Sequence, residues 1–455
     1  MNASETSPLR IGIYADDLTG ALDAAAPFAA AGMSTYVSVF GIVPDDNART
    51  HRVLSLNVDT RHGDRFPVFD KSARAVQELR ATGFKLLVNK IDSTMRGHAG
   101  MEARAGLSQE PSDPRDIGKT GAWSGPRLAL IAPSFPAMGR IVSGRQVLVK
   151  GVPLADTEIG RDPLSPVNSS DIAELVELNT GIRPSVLSLC DIRPDGRLHG
   201  RISELSDHPP VLAVCDAESD EDMKLIAAAF VEASGEVILS GSAGVTNALA
   251  EILSGESQGP PKSASNSNTE GSTAPSLIVS GSQRSETGHQ LKLVSDDQPV
   301  EWLQLNPVAL LDENLSRETR DNAVGALVSA IEGGKHAAVS LLQVNVTGDL
   351  DIPSKLVREL GAICYRVARR TRPGALVIVG GDTAQSALRA VGAAGIVMHD
   401  QPFPGVPVGI VDGGLLDGVR VVTKAGAFGD REILVNVIDY LTSTGPEHVS
   451  TKVQK

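Results

Sequence analysis

Two adjacent aspartates close the first apolar run of this chain, and carboxylates in that position can do chemistry. Residues 10–23 read RIGIYADDLTGALD, with Ile11, Ile13, Tyr14 and Ala15 leading into Asp16 and Asp17. Such a pair at the end of a buried strand puts negative charge at a sheet edge, where open α/β sheets bind their ligands. A carboxylate there can take a proton from a hydroxyl, hold a metal, or cap the helix that follows. A second cluster, NVDTR at 57–61, adds Asp59 and Arg61; the planar Arg fork suits a carboxylate or a phosphate. A third, KIDSTMRG at 90–97, gathers Lys90, Ile91, Asp92, Ser93, Thr94 and Arg96. It carries hydrogen-bonding groups of every type, as recognition of a small polyhydroxy acid requires. Two more polar segments could line the same pocket: PSFPAMGR at 133–140, which ends in Arg140, and DTE at 156–158.

The second half of the chain carries a different chemistry. Gly380, Gly381, Asp382 and Thr383 follow an apolar run at 376–379, and a run at 421–423 leads into Lys424 and Gly426. Glycines let a backbone approach phosphates closely, and a Lys can neutralise their charge. Neither segment matches GxxxxGK[ST] or GxGxxG, so the residues alone suggest an anion site without naming the anion. VILSGS at 237–242, LIVSGS at 277–282 and LVIVGG at 376–381 repeat one pattern: an apolar run, a small-residue turn, then helical spacing. Such turns present backbone N–H groups to an anion, and they also serve plain strand-to-helix architecture.

These segments need a scaffold, and the spacing of apolar residues predicts one. Strands are expected at 10–15, 35–40, 53–58, 85–90 and 127–133, with helices at 21–31 and 69–82 among those between them. That alternation predicts an α/β fold of mostly parallel sheets flanked by helices. Residues 141–153 (IVSGRQVLVKGVP) read instead as a hairpin. At 455 residues the chain is too long for one ordinary core, and two domains are expected. The stretch from Gly255 to Pro275 is rich in Ser, Gly, Pro and Asn and has almost no apolar residue. It reads as a flexible linker (255–275) between an N-terminal domain (1–254) and a C-terminal one (276–455). Residues 108–125 read as a surface insertion, and the last residues from Ser443 on as a frayed end.

Composition narrows the function classes. A formal charge of −13 argues against nucleic-acid binding, which needs a clustered positive footprint. It leaves an anionic substrate open, since local Lys and Arg can dominate a pocket. Three widely spaced cysteines, Cys190, Cys215 and Cys364, form no CxxC pair and no metal-ligand spacing, as in a reduced, cytoplasmic protein. The N-terminal residues lack a signal-peptide apolar core, and no window is long enough to span a membrane.

The motifs ADDLTGALD, NVDTR, KIDSTMRG, APSFPAMGR, VSGS, VGGDTA and TKAGAFGD, in this order, resemble those of the four-carbon acid sugar kinases. The resemblance runs from about Arg10 to Leu441. It implies two α/β domains with a ligand cleft between them, the first binding the acid sugar and the second binding ATP, with closure of the two during the reaction. The activity implied is transfer of the γ-phosphoryl group to a terminal hydroxyl of a four-carbon sugar acid. D-threonate is the preferred substrate on this reading, with D-erythronate or 3-oxo-tetronate close behind. By motif, Asp17, Asp59, Arg61, Lys90, Ile91, Asp92, Ser93 and Arg96 would hold the substrate. Ser280, Ser282, Gly380, Gly381, Asp382, Thr383, Lys424 and Gly426 would hold ATP. Asp17 is the expected catalytic base or orienting carboxylate, with Asp16 left as a cap or a supporting group. Lys90, Arg61 or Arg96 would pair with the substrate carboxylate. Mg²⁺ is expected with ATP, with no protein ligand assigned. The chain departs from the family pattern after VSGS, where Gln283 and Arg284 replace a second small polar residue. Two other classes fit the domain layout. An NAD-dependent dehydrogenase of a sugar acid lacks support for want of a GxGxxG turn. A non-catalytic two-domain sugar-acid-binding protein would need closure but no chemistry. The sequence leaves room for a homo-oligomer.

Overall fold

In a computed structural model of the protein, the described residues are 9–43, 48–62, 65–108, 126–161, 166–193, 197–207, 210–255, 274–343, 352–426 and 428–443. Of the expected insertion at 108–125, the linker at 255–275 and the frayed end from Ser443 on, all but Ser108, Gly255, Ala274, Pro275 and Ser443 lie outside them. The chain divides into two compact units, Met1–Pro260 and Pro261–Lys455.

In the first unit, eight strands form one parallel sheet. Their order is Thr35–Ser38, Val53–Asn57, Ile11–Ala15, Leu86–Lys90, Val237–Gly241, Leu128–Ala132, Val211–Cys215 and Ser185–Leu187. The central strands are buried along their whole length, Ile11–Ala15 and Leu128–Ala132 among them. Helices cover parallel sheets on both faces, so such strands read as unbroken apolar runs. The helix Leu18–Ala30 is rich in small residues, and Ala24 and Phe28 join Ile11, Ile13 and Leu86 in one core. The chain leaves strand Ile11–Ala15 to build one side of the sheet and then returns to its other side at Leu86–Lys90. That reversal is a topological switch point, which opens a crevice at the carboxyl ends of two neighbouring strands. Register brings these ends level, with Ala15 opposite both Asn57 and Lys90, and Gly241 opposite both Lys90 and Ala132.

A small antiparallel sheet lies beside these strand ends. Arg140–Ser143 pairs with Gln146–Val149, which pairs with Val152–Pro153. The expected hairpin is therefore present and extended by a third short strand. Its turn has left-handed φ at both Gly144 (54°) and Arg145 (69°), the twist that two-residue hairpin loops require. The Asp216 carboxylate fixes it by accepting from both backbone N–H groups, at 3.1 and 2.8 Å.

The second unit repeats the plan. Val300–Leu305, His336–Leu341, Ser276–Ser280, Ala375–Val379 and Arg420–Lys424 run parallel, and Val406–Asp412 and Gly395–Phe403 continue the sheet antiparallel. A second switch point falls between Ser276–Ser280 and Ala375–Val379, where Ser280 is opposite Val379 and Val379 is opposite Lys424. The α/β reading thus holds in both units, with an antiparallel margin in the second that the expected strands did not include.

Candidate active site

At the switch point of the first unit, Asp17 caps the helix Leu18–Ala30, with its Oδ1 accepting from the Gly20 N–H at 2.7 Å. The cap is therefore Asp17 and not Asp16, which corrects one reading of the pair. Asp16 is 2% exposed and lies beneath it. The chain turns towards it through Asp59, whose φ of 57° is left-handed. The backbone N–H groups of Thr60 and Arg61 then donate to the Asp16 carbonyl at 2.9 and 3.2 Å. This turn delivers the Arg61 side chain. Arg61 Nε donates to Asp16 Oδ2 at 2.7 Å and Nη2 to Oδ1 at 2.9 Å, while Nη1 reaches Asp17 Oδ2. Burial works against the Arg61 charge, but Asp16, Asp17 and Asp92 outweigh it and hold the guanidinium well above its ordinary range.

Lys90 enters from the neighbouring strand and is buried, with Nζ donating to the Ile91 carbonyl at 3.0 Å. Gly20 makes room for it: a Cβ there would stand 2.7 Å from Asp17 Oδ1 and 3.1 Å from Lys90 Nζ. The Ile91 side chain is fully buried, and its N–H donates to the Gly241 carbonyl at 2.9 Å. Asp92 is taken up within its own turn. It accepts from Arg96 Nε at 2.9 Å, Arg96 Nη2 at 3.0 Å, the Thr94 N–H at 3.2 Å and the Thr94 hydroxyl. Burial opposes its charge, yet Arg96 and Arg61 hold the Asp92 carboxyl well below the usual range. Ser93 accepts from Arg140 Nη1 at 2.5 Å. One of Lys90, Arg61 or Arg96 was expected to pair with the substrate carboxylate; in this structure Arg61 and Arg96 are each already engaged by carboxylates of the protein.

Two further acids belong to the cluster. Asp23 lies one helical turn beyond Leu18–Gly20 and inside the quoted ADDLTGALD motif. Burial pushes its carboxyl up to about 7, with Lys90 pulling it down and Asp17 pushing it further up. Glu102, from the helix Ala99–Gly106, is 1% exposed and accepts from the Thr60 hydroxyl at 2.6 Å through Oε1. Its Oε2 has no hydrogen-bond partner. Burial and the nearby Asp16 push this carboxyl up to about 8, so it is neutral at pH 7. Nothing in its local sequence, GMEAR at 100–104, distinguishes it from a surface helix acid. Its partner Thr60 supplies the only signal, and that signal appears on folding.

In the second unit, three turns meet at the second switch point. Ser280 ends its strand fully buried, with a hydroxyl that has no protein partner. Of the two serines, Ser282 is the one the turn presents, and it accepts from the Thr287 hydroxyl at 2.9 Å. Thr287 also reaches the Gly426 carbonyl, at 3.0 Å. Small residues let these turns touch. A Cβ on Gly426 would stand 2.4 Å from Ser282 Oγ, and one on Gly281 2.3 Å from Thr383 Oγ1. Gly380 has φ 109°, which strains any residue with a Cβ. It precedes the helix Gly381–Ala390, which has no side-chain cap and carries an exposed Asp382 in its first turn. Its first N–H groups are therefore open to an anion. Lys424 is 2% exposed, and its ammonium donates to the carbonyls of Ala425 (2.9 Å), Gly426 (3.3 Å) and Phe428 (2.8 Å). Burial pulls it down to about 8. Its visible work is ordering the glycine turn. Among the described residues, no group of three or more His, Cys, Asp or Glu is arranged to hold a metal ion. Nor is any helix among them long and apolar enough to cross a membrane.

Known proteins resemble the chain along most of its length. Residues 11–249 match the family model of a sugar-binding N-terminal domain, and residues 277–434 that of a nucleotide-binding C-terminal domain. The chain is 29% identical over 437 residues to a D-threonate kinase of Bordetella bronchiseptica, covering 93% of this chain and 96% of that protein. It is 25% identical to a D-erythronate kinase of Heliobacterium modesticaldum, covering 94% and 96% of the two chains. A 3-oxo-tetronate kinase of Methylobacterium radiotolerans is 24% identical, at 95% and 99% coverage. Two solved structures share the fold. A Salmonella typhimurium LT2 chain has TM-score 0.72 at 20% identity, covering 94% of this chain and 98% of that one. A Haemophilus influenzae protein has TM-score 0.68 at 20% identity, covering 94% and 100%.

Proposed function

This chain belongs to the four-carbon acid sugar kinase family, and from that premise we propose that it phosphorylates the terminal hydroxyl of D-threonate with MgATP. D-erythronate and 3-oxo-tetronate are the next acids in rank. The observation that carries the acceptor site is the Asp17 carboxylate. It is 20% exposed at the strand end, and Gly20 and Arg61 fix its orientation. A carboxylate has about four lone-pair positions, so two protein bonds leave it able to accept from a substrate hydroxyl.

Phosphoryl transfer needs positioning and charge neutralisation more than covalent chemistry from the protein. In this reading the Asp17 carboxylate accepts the hydroxyl proton as that oxygen bonds to the γ-phosphorus. The bridging P–O bond to the β-phosphate breaks, and ADP departs. Arg61 keeps Asp17 in place, and Asp59, Lys90, Asp92, Ser93 and Arg96 shape the acid site around it. The nucleotide phosphates sit on the open N–H groups of Gly381, Asp382 and Thr383, with Ser282 and Gly426 walling the turn. Lys424 acts on them through the turn it orders and through its charge. Mg²⁺ comes as part of the nucleotide, since it keeps most of its waters and prefers phosphate oxygens. Phosphorus NMR of the product tests the acceptor position. A phosphomonoester on the terminal carbon is expected, and a phosphate on an internal carbon would overturn the proposal.

A further inference from the structure

The acid cluster holds four cations, and three of them are already matched. Arg61 is forked onto Asp16 and reaches Asp17. Arg96 is forked onto Asp92. Lys90 interacts with Asp16 and with Asp23. Arg140 is different: its guanidinium bonds the Ser93 hydroxyl, and no carboxylate among the described residues bonds it. It shares the single Asp92 with Arg96, the one of the two that bonds that carboxylate, and this leaves one positive charge of the group uncancelled. Burial and the Arg96 charge both disfavour a second cation there, so an anion arriving at this point is strongly favoured.

Arg140 is also built to stay in place. Its backbone is paired with Phe135 in both directions, Phe135 N–H to the Arg140 carbonyl at 2.7 Å and the reverse bond at 3.1 Å. The short 3₁₀ turn Pro136–Met138 and Gly139, with φ 66°, close the loop between them. Beneath it, the Ser134 hydroxyl accepts from the Val142 N–H at 3.0 Å and donates to the Ala217 carbonyl at 2.8 Å. The Ser242 hydroxyl donates to the Ser134 carbonyl, also at 2.8 Å. Two-residue and side-chain locks of this kind hold a binding group rigid before its ligand arrives.

We propose that Arg140 receives the carboxylate of the acid substrate, with Ser93 beside it, and so sets the substrate with its terminal hydroxyl towards Asp17. This inference rests on the sugar-acid reading of the site. It makes Arg140, rather than Arg61 or Arg96, the residue that separates a sugar acid from a neutral polyol of the same length. The Arg fork matches a carboxylate in two parallel bonds, which a Lys cannot reproduce.

The test compares wild type, Arg140→Met and Arg140→Lys on D-threonate and on D-threitol, its carboxylate-free counterpart, with calorimetric binding of D-threonate alongside. Arg140→Met is expected to raise both Kd and KM for D-threonate on the order of 100-fold. KM for ATP should stay within about twofold, and the preference for the acid over the polyol should collapse. Arg140→Lys, which keeps the charge and loses the fork, should fall between, at about tenfold. With an active wild type, either variant binding D-threonate as wild type does overturns the inference. So does an equal loss on acid and polyol, which would mark Arg140 as merely structural. A folded wild type that turns over no four-carbon acid would overturn the underlying reading instead.

Discussion

Arg61 grips Asp16 in a two-bond fork, Nε to Oδ2 at 2.7 Å and Nη2 to Oδ1 at 2.9 Å, and spends its remaining arm on Asp17. The two adjacent aspartates therefore have unlike tasks. Asp16, buried, anchors the guanidinium; Asp17, partly exposed, is held by that guanidinium at the mouth of the crevice. A bidentate Arg–carboxylate pair fixes orientation as well as charge.

Asp17→Asn separates chemistry from architecture. Asn caps a helix about as well as Asp, so the helix Leu18–Ala30 should survive. We expect kcat to fall by roughly 10²–10⁴-fold, the usual worth of a positioned base, with the melting temperature nearly unchanged and D-threonate binding partly kept. Unchanged turnover would remove Asp17 from the reaction.

Gly426→Ala addresses the other unit alone. Its Cβ would press on Ser282 Oγ at 2.4 Å and Ser282 Cβ at 3.1 Å, displacing the turn. KM for ATP should rise about tenfold, in line with the ordinary cost of overpacking, while calorimetry finds D-threonate binding as in wild type. Weakened acid binding with normal ATP kinetics would reverse the assignment of the two units.

Much of this arrangement is legible in the residues before folding. The strand at 11–15 was expected from its apolar run, and the helix after Asp17 from its spacing, because buried parallel strands and capped helices write themselves into local sequence. The Lys90–Arg96 turn was legible for the same reason. What local sequence cannot show is which charges cancel which. Arg61 lies 45 positions from Asp16, and Arg140 lies 47 from Ser93. Only the fold decides that Arg61 bonds two carboxylates and that Arg140, among the described residues, bonds none. Glu102 was invisible for a related reason: an ordinary helix acid becomes a buried neutral one only when Thr60 and Asp16 close over it. Lys424 was expected to neutralise phosphate charge; the three carbonyls to which it donates belong to its own turn.

The neutral Glu102 gives a stability prediction. Its folded value of about 8 lies above the unfolded value of about 4.3, so the folded state binds the extra proton. That contribution is complete below about pH 4 and is lost as pH rises through about 8. Glu102→Gln keeps an oxygen for Thr60 and removes the titration. Urea melts should therefore favour the Gln variant over wild type more at pH 8.5 than at pH 5.5. An equal difference at both pH values would contradict the neutral assignment.

Asp23 gives a binding prediction of the same kind. Held at about 7 by burial against the pull of Lys90, it gains negative charge as pH rises through neutrality. An anionic substrate should then bind several-fold more weakly at pH 8 than at pH 6, since a like charge at a few ångströms costs on the order of 1 kcal/mol. Asp23→Asn should flatten that dependence in calorimetric titrations with D-threonate. A pH dependence retained in full by Asp23→Asn would exclude Asp23 as its source.

Transfer of phosphate from ATP to a four-carbon sugar acid by this chain underlies the predictions for Asp17 and Gly426. Its most direct test is coupled ADP release by the purified protein with Mg²⁺ and a panel of D-threonate, D-erythronate, 3-oxo-tetronate and their epimers. Acid-dependent ADP release is expected, one ADP per acid consumed, with kcat/KM highest on D-threonate. Protein shown to be folded that releases no ADP with any acid of the panel would contradict it.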